Sequence, residues 1–111
     1  MKKKLVVLIV LAMISCKKNQ SITHEITNFD KQISDTISPI KGENYGARFI
    51  YVKGYVDDSI YVSFGGNSYK SFLSKKIDTS FSTDYYGNQK AIFIFNPYKG
   101  RKGNLKITFK I

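Results

Sequence analysis

Asn104-Leu105-Lys106-Ile107-Thr108-Phe109-Lys110-Ile111 closes the chain with the cleanest apolar–polar alternation in it. A period of two is that of a pleated strand, so Leu105, Ile107, Phe109 and Ile111 point inward while Lys106, Thr108 and Lys110 face outward. Working back, Ala91–Phe95 (AIFIF) is apolar throughout, which predicts a strand buried on both faces. Asn96–Gly103 between them (NPYKGRKG) is a turn-rich connection. Ala47–Val56 predicts a central strand, because Phe49 and Tyr51 lie on one face and Ile50 and Val52 on the other. Asp57-Asp58 reads as a two-residue turn, and Ser59–Phe64, with Ile60, Val62 and Phe64 on one face, as the returning arm of a hairpin. Gly65-Gly66-Asn67 breaks the chain. Ser68–Ile77 is a weaker strand, and the polar stretch 78–89 a loop or an edge strand with a turn.

Between residues 22 and 40 the signal is mixed. Ile22, His24 and Ile26 alternate as in a strand, whereas Ile26, Phe29, Ile33 and Ile37 recur at helical spacing. Ser38-Pro39 stops a helix there, since proline lacks a backbone donor and biases its predecessor to extended conformations. Composition resolves the class. Beyond Cys16 the chain holds 12 Ile, eight Phe and eight Tyr but only two Leu and two Ala. Branched and aromatic residues suit a pleated, half-buried surface, while Ala and Leu are the strong helix formers. About six strands with Gly-rich turns predict an all-β fold, a small antiparallel β-sandwich with an open barrel as the alternative. The expected core is Phe49, Ile60, Val62, Ile92, Ile94, Leu105, Ile107 and Phe109.

The N-terminus differs in kind. Lys2, Lys3 and Lys4 precede an apolar run from Leu5 to Ile14, which ends in Met13-Ile14-Ser15-Cys16. That run is too short to span a bilayer, which takes about 20 residues, and suits a signal-peptide core. These residues resemble the signal peptide and lipobox of bacterial lipoproteins, over the first 16 residues only. The resemblance implies removal of residues 1–15 and acylation of Cys16, with palmitate-type chains holding the protein at the membrane. Residues 16–21 then form the lipidated cysteine and its tether, and residues 22–111 one β-domain. In that family Lys17, in place of Asp, points away from inner-membrane retention, so the implied location is the cell outer membrane.

With its one cysteine used for lipid, the domain has no disulfide to rely on. Removing Lys2, Lys3 and Lys4 takes the formal charge from +10 to +7, which favours anionic partners. Lys99, Arg101, Lys102, Lys106 and Lys110 form the candidate partner-binding patch; the competing role for these lysines is protection of an exposed strand edge. Eight tyrosines exceed what a small core can enclose and add interface character. Catalytic constellations are lacking. His24 stands alone between Ile22 and Ile26, and Asp57 and Asp58 sit at the predicted turn, so the chain reads as non-enzymatic, without cofactor or metal. A small hydrolase built on Asp57, Asp58 or Asp84 is the disfavoured enzymatic reading. Export excludes nucleic acid as the normal partner. Asp35-Thr36-Ile37 and Asp58-Ser59-Ile60 also resemble an O-glycosylation sequon of some two-membrane bacteria. The expectation is a membrane-anchored envelope lipoprotein whose β-domain binds another macromolecule, a protein or an anionic envelope component. The alternative is an immunity or inhibitor lipoprotein that blocks a toxin or hydrolase.

Overall fold

The computed structural model describes residues 20–65 and 69–111. The expected signal peptide, Cys16 and most of the expected tether lie outside them. The described chain is all-β, with six strands: β1 (Ser21–Ile26), β2 (Ile33–Ile37), β3 (Ala47–Ser63), β4 (Ser71–Asp84), β5 (Ala91–Asn96) and β6 (Gly103–Lys110). They form one antiparallel sheet in the order β1-β6-β3-β5-β2, with β4 along the other edge of β3. This is the expected class, and its form lies between a sandwich and a nearly closed barrel.

Register explains that shape. β6 pairs with β3 from Phe49 to Val56, and β5 pairs with the same edge from Tyr61 to Ser63. β5 and β6 therefore run end to end along β3, joined by residues 97–102. β1 and β2 repeat the arrangement outside them, on β6 and β5 respectively. The sheet is creased across the middle and its two halves face each other. Phe93 of β5 and Phe109 of β6, never paired as strands, stack with centroids 5.0 Å apart and planes at 15°. His24 of β1 hydrogen-bonds to Asp35 of β2, bridging the unpaired seam on the far side. Phe93, Phe95, Phe109, Ile50, Ile60, Leu105 and Ile107 are fully buried between the halves.

The crease is a built feature. Three residues of β3, Asp57–Ser59, face only Ser74 of β4, a bulge that bends the strand without changing which side chains point inward. The two non-glycine residues with positive φ, among those described, are Lys75 (62°) in β4 and Tyr98 (48°) in the 97–102 turn, both on this line. Asp57 staples it. Its Oδ1 accepts from the Arg101 and Lys102 amides (2.9 and 3.1 Å), its amide donates to Lys102 O (2.9 Å), and its carbonyl accepts Lys75 Nζ (2.6 Å). Ser59 O accepts the Lys99 and Gly100 amides. Close approach of the strands beside the crease requires glycine: a Cβ on Gly103 would lie 2.2 Å from Tyr55 O, and one on Gly54 2.0 Å from Asn104 O.

Several expectations are corrected. Asp57-Asp58 does not turn a hairpin, because the bulge keeps β3 continuous from Ala47 to Ser63. The partner of β3 is instead β4, which runs through both the weak strand and the polar stretch. The helical reading of 26–37 gives way to two strands that bury Ile26 and Ile37 on one inward side. Ala91–Phe95 is buried on one face: Ala91, Phe93 and Phe95 are inside, Ile92 is 40% exposed, and Ile94 is half-buried. Phe49 likewise sits half-buried on the outer face, where Ile50 and Val52 were the inward pair. Ile60, Val62, Leu105, Ile107 and Phe109 are buried as expected.

Candidate binding surfaces

The five cations singled out from sequence divide between two places. Lys99, Arg101 and Lys102 lie on the turn at the crease, and two of them are engaged there. Arg101 Nη1 donates to the Tyr98 and Gly100 carbonyls (3.2 and 2.9 Å), and Lys99 Nζ sits 5.5 Å over the Tyr98 ring. Tyr98 also packs edge-on against Tyr61 and Phe72, while Lys70 covers Tyr61 at 5.0 Å. This exposed aromatic cluster escaped the sequence reading because its members come from three separate segments.

Lys106 and Lys110 lie on the outer face of β6, which is paired on both edges. Edge protection therefore cannot be their role; the free edges belong to β1, β2 and β4. The register instead sets Lys106 directly opposite Lys53 of β3. Glu25 of β1 follows on one side and Asp78 of β4 on the other, so a row of −, +, +, − crosses all four strands. Lys110, Lys106, Lys53 and Lys76 trace a diagonal over this face. Among the described residues none of the four makes a hydrogen bond, a ring contact or an ion pair within 4.0 Å. Like charges directly opposite one another are destabilising, a cost that Glu25 opposite Lys106 and Asp78 opposite Lys53 offset in part. Tyr51 and Tyr55 flank it, 42% and 50% exposed, with Phe49 stacked on Tyr51 at 6.0 Å. Thr108, Ser80, Lys53, Lys106, Asp78 and Tyr51 line a shallow groove of about 410 Å³ on this face. Lys53 and Lys76 were not signalled by sequence, since only strand register places them beside β6.

One further cation, Arg48, faces the other way. Next to the strand's first residue, it points inward at the mouth between the halves, stacked on Phe64 at 5.0 Å. Burial disfavours its charged form and lowers its pKa, with Tyr85 opposing. Tyr85 is itself buried; desolvation raises its phenol pKa, and its hydroxyl donates to the Gln89 carbonyl. Of the carboxylates, Asp57 is held below the ordinary range by the Arg101 and Lys102 amides, as a structural cap. Among the described residues no group of three His, Cys, Asp or Glu side chains converges as a metal site would need.

No family model and no curated protein matches the chain. Among solved structures it is similar to a de novo designed double-stranded β-helix determined by solution NMR, at 9% identity and a TM-score of 0.47, covering 81% of this chain and 97% of that one.

Proposed function

We propose that this chain is a lipid-anchored envelope protein whose non-enzymatic β-domain binds an anionic macromolecule along the outer face of β6 and β3. The observation that carries the reading is the Lys53–Lys106 pair: two unengaged lysines opposed on interior strands, continued by Lys110 and Lys76. A linear array of cations with flanking tyrosines suits a linear polyanion, and a net charge of +7 beyond the signal steers it in. Tethered through Cys16, the domain would meet such a partner at the outer membrane.

Two measurements test the two halves of this reading. Cys16→Ala should abolish lipid labelling and leave the protein unprocessed or released from membranes; a variant still processed and labelled overturns the anchor. Separately, full-length protein in neutral detergent should bind polygalacturonate, an anionic glycan, or polyglutamate, an anionic peptide, with affinity that falls as salt rises. Lys53→Gln/Lys106→Gln should weaken that binding on the order of tenfold or more. Unchanged affinity in the double variant overturns the assignment of the face.

The immunity or inhibitor reading draws on a different feature, the exposed Tyr61–Phe72–Tyr98 cluster, since aromatic rings of this kind anchor protein interfaces. If that cluster blocks a toxin, Phe72→Ala/Tyr98→Ala abolishes protection by the protein while Lys53→Gln/Lys106→Gln preserves it.

A further inference from the structure

Arg48 is a cation that the fold leaves without an ion-pair partner among the described residues. It is half-buried at the mouth between the sheet halves, its Nε is enclosed without a hydrogen-bond partner, and no carboxylate lies within 4.0 Å. Buried guanidinium groups are ordinarily paired, and an unpaired one carries its desolvation cost uncompensated. Asp84, which the register sets opposite the neighbouring Ala47, does not serve. The register pairs Arg48 with Thr83, and strand alternation turns Asp84 to the opposite, exposed face of β4. Ring stacking on Phe64 fixes the guanidinium plane but leaves its donors unused.

Arg48 borders a small cavity of about 170 Å³, lined also by Asp84, Tyr85, Tyr86, Asn88, Gln89 and Lys90. Its position is the mouth of a curled sheet, one of the places where small-ligand sites form. Its lining is polar: the Arg48 guanidinium, the Lys90 ammonium and the Asn88 and Gln89 amides share it with the Asp84 carboxylate. Its size admits a few heavy atoms and excludes a chain. We propose that this cavity is a site for a small carboxylate, which Arg48 and Lys90 hold between them, independent of the lysine face on β6. A carboxylate matches the planar fork of arginine donors better than a halide does.

The test is a titration of the full-length protein in neutral detergent, followed by nitrogen–proton correlation spectra of the arginine side chains. Acetate and inorganic phosphate are compared at ionic strength held constant with chloride. Acetate should shift the Arg48 Nε–H signal saturably and raise the melting temperature, and Arg48→Met should lose both effects. Lys90→Gln, an exposed substitution that spares the fold, should weaken acetate binding on the order of tenfold. A response no larger than that to chloride, or one that survives in Lys90→Gln at full strength, overturns the site. A response to phosphate but not to acetate overturns the carboxylate assignment.

Discussion

The turn at 97–102, with three cations, and the outer face of β6, with two, are neighbours in the chain, yet the fold treats them in opposite ways. In the turn, Arg101 and Lys99 are absorbed by backbone carbonyls and by the Tyr98 ring, and the turn itself is held to β3 through Asp57. On β6, Lys106 and Lys110 stand free beside Lys53, on a strand whose inward side is fully buried. The difference comes from the crease. Bending the sheet needs an irregular connection with many orphan backbone groups, and the side chains there are recruited to satisfy them. A regular strand satisfies its backbone through its neighbours and leaves its outward side chains free for other work.

The strongest way to break this comparison is to disturb the crease. Gly103→Ala puts a methyl group against Tyr55 O, which only backbone movement can relieve, and should destabilise the domain by about 3 kcal/mol. In a domain of this size that is a fall in melting temperature of more than about 10 °C. A melt within a degree or two of the parent would mean that β3 and β6 do not approach as closely as described. Next comes Asp57→Ala, which removes the acceptor for the Arg101 and Lys102 amides. The folded-state pKa of Asp57 is depressed, so its contribution is present above the ordinary carboxylate range and is lost as pH falls through the lower folded value. The parent should therefore melt above Asp57→Ala at neutral pH, with the gap closing below about pH 4. A gap that is constant with pH would show that the carboxylate charge contributes nothing. The smallest effect belongs to the free face: Lys53→Gln relieves a like-charge pair and should change stability by no more than about 0.5 kcal/mol. A larger loss in urea titration would place Lys53 in the scaffold.

How much of this could be read beforehand depended on whether the decisive contact was local. The two faces of β6 were legible because one is buried and the other wet, so the alternation is strict, though the strand runs from Gly103 to Lys110 rather than from Asn104 to Ile111. β4 was obscured because it is an edge strand, and Lys75, Lys76 and Asp78 interrupt its apolar pattern with charges that suit an exposed edge. Asp57-Asp58 looks like a turn for good local reasons. What keeps β3 running through it is a staple to Arg101, 44 residues away, which no local pattern reveals. Ile92 reads as core, yet it packs outward over Gly65, whose missing side chain makes room for it. Lys106 and Lys110 could be nominated from sequence, whereas Lys53, Lys76 and Arg48 gain their meaning only from strand register and the inward curl.

The most direct test sets two neutralised proteins side by side. One carries Lys53→Gln, Lys106→Gln and Lys110→Gln; the other carries Lys99→Gln, Arg101→Gln and Lys102→Gln. Both lose the same charge, so net attraction drops equally, and melting temperature and polygalacturonate affinity are measured on each. The face variant should melt with the parent and lose most of its affinity. The turn variant should melt several degrees lower, as about 1 kcal/mol of lost contacts implies, and retain more affinity than the face variant. Equal losses of affinity in the two would reduce the interaction to net charge, and a reversed pattern would contradict the division between held and free cations.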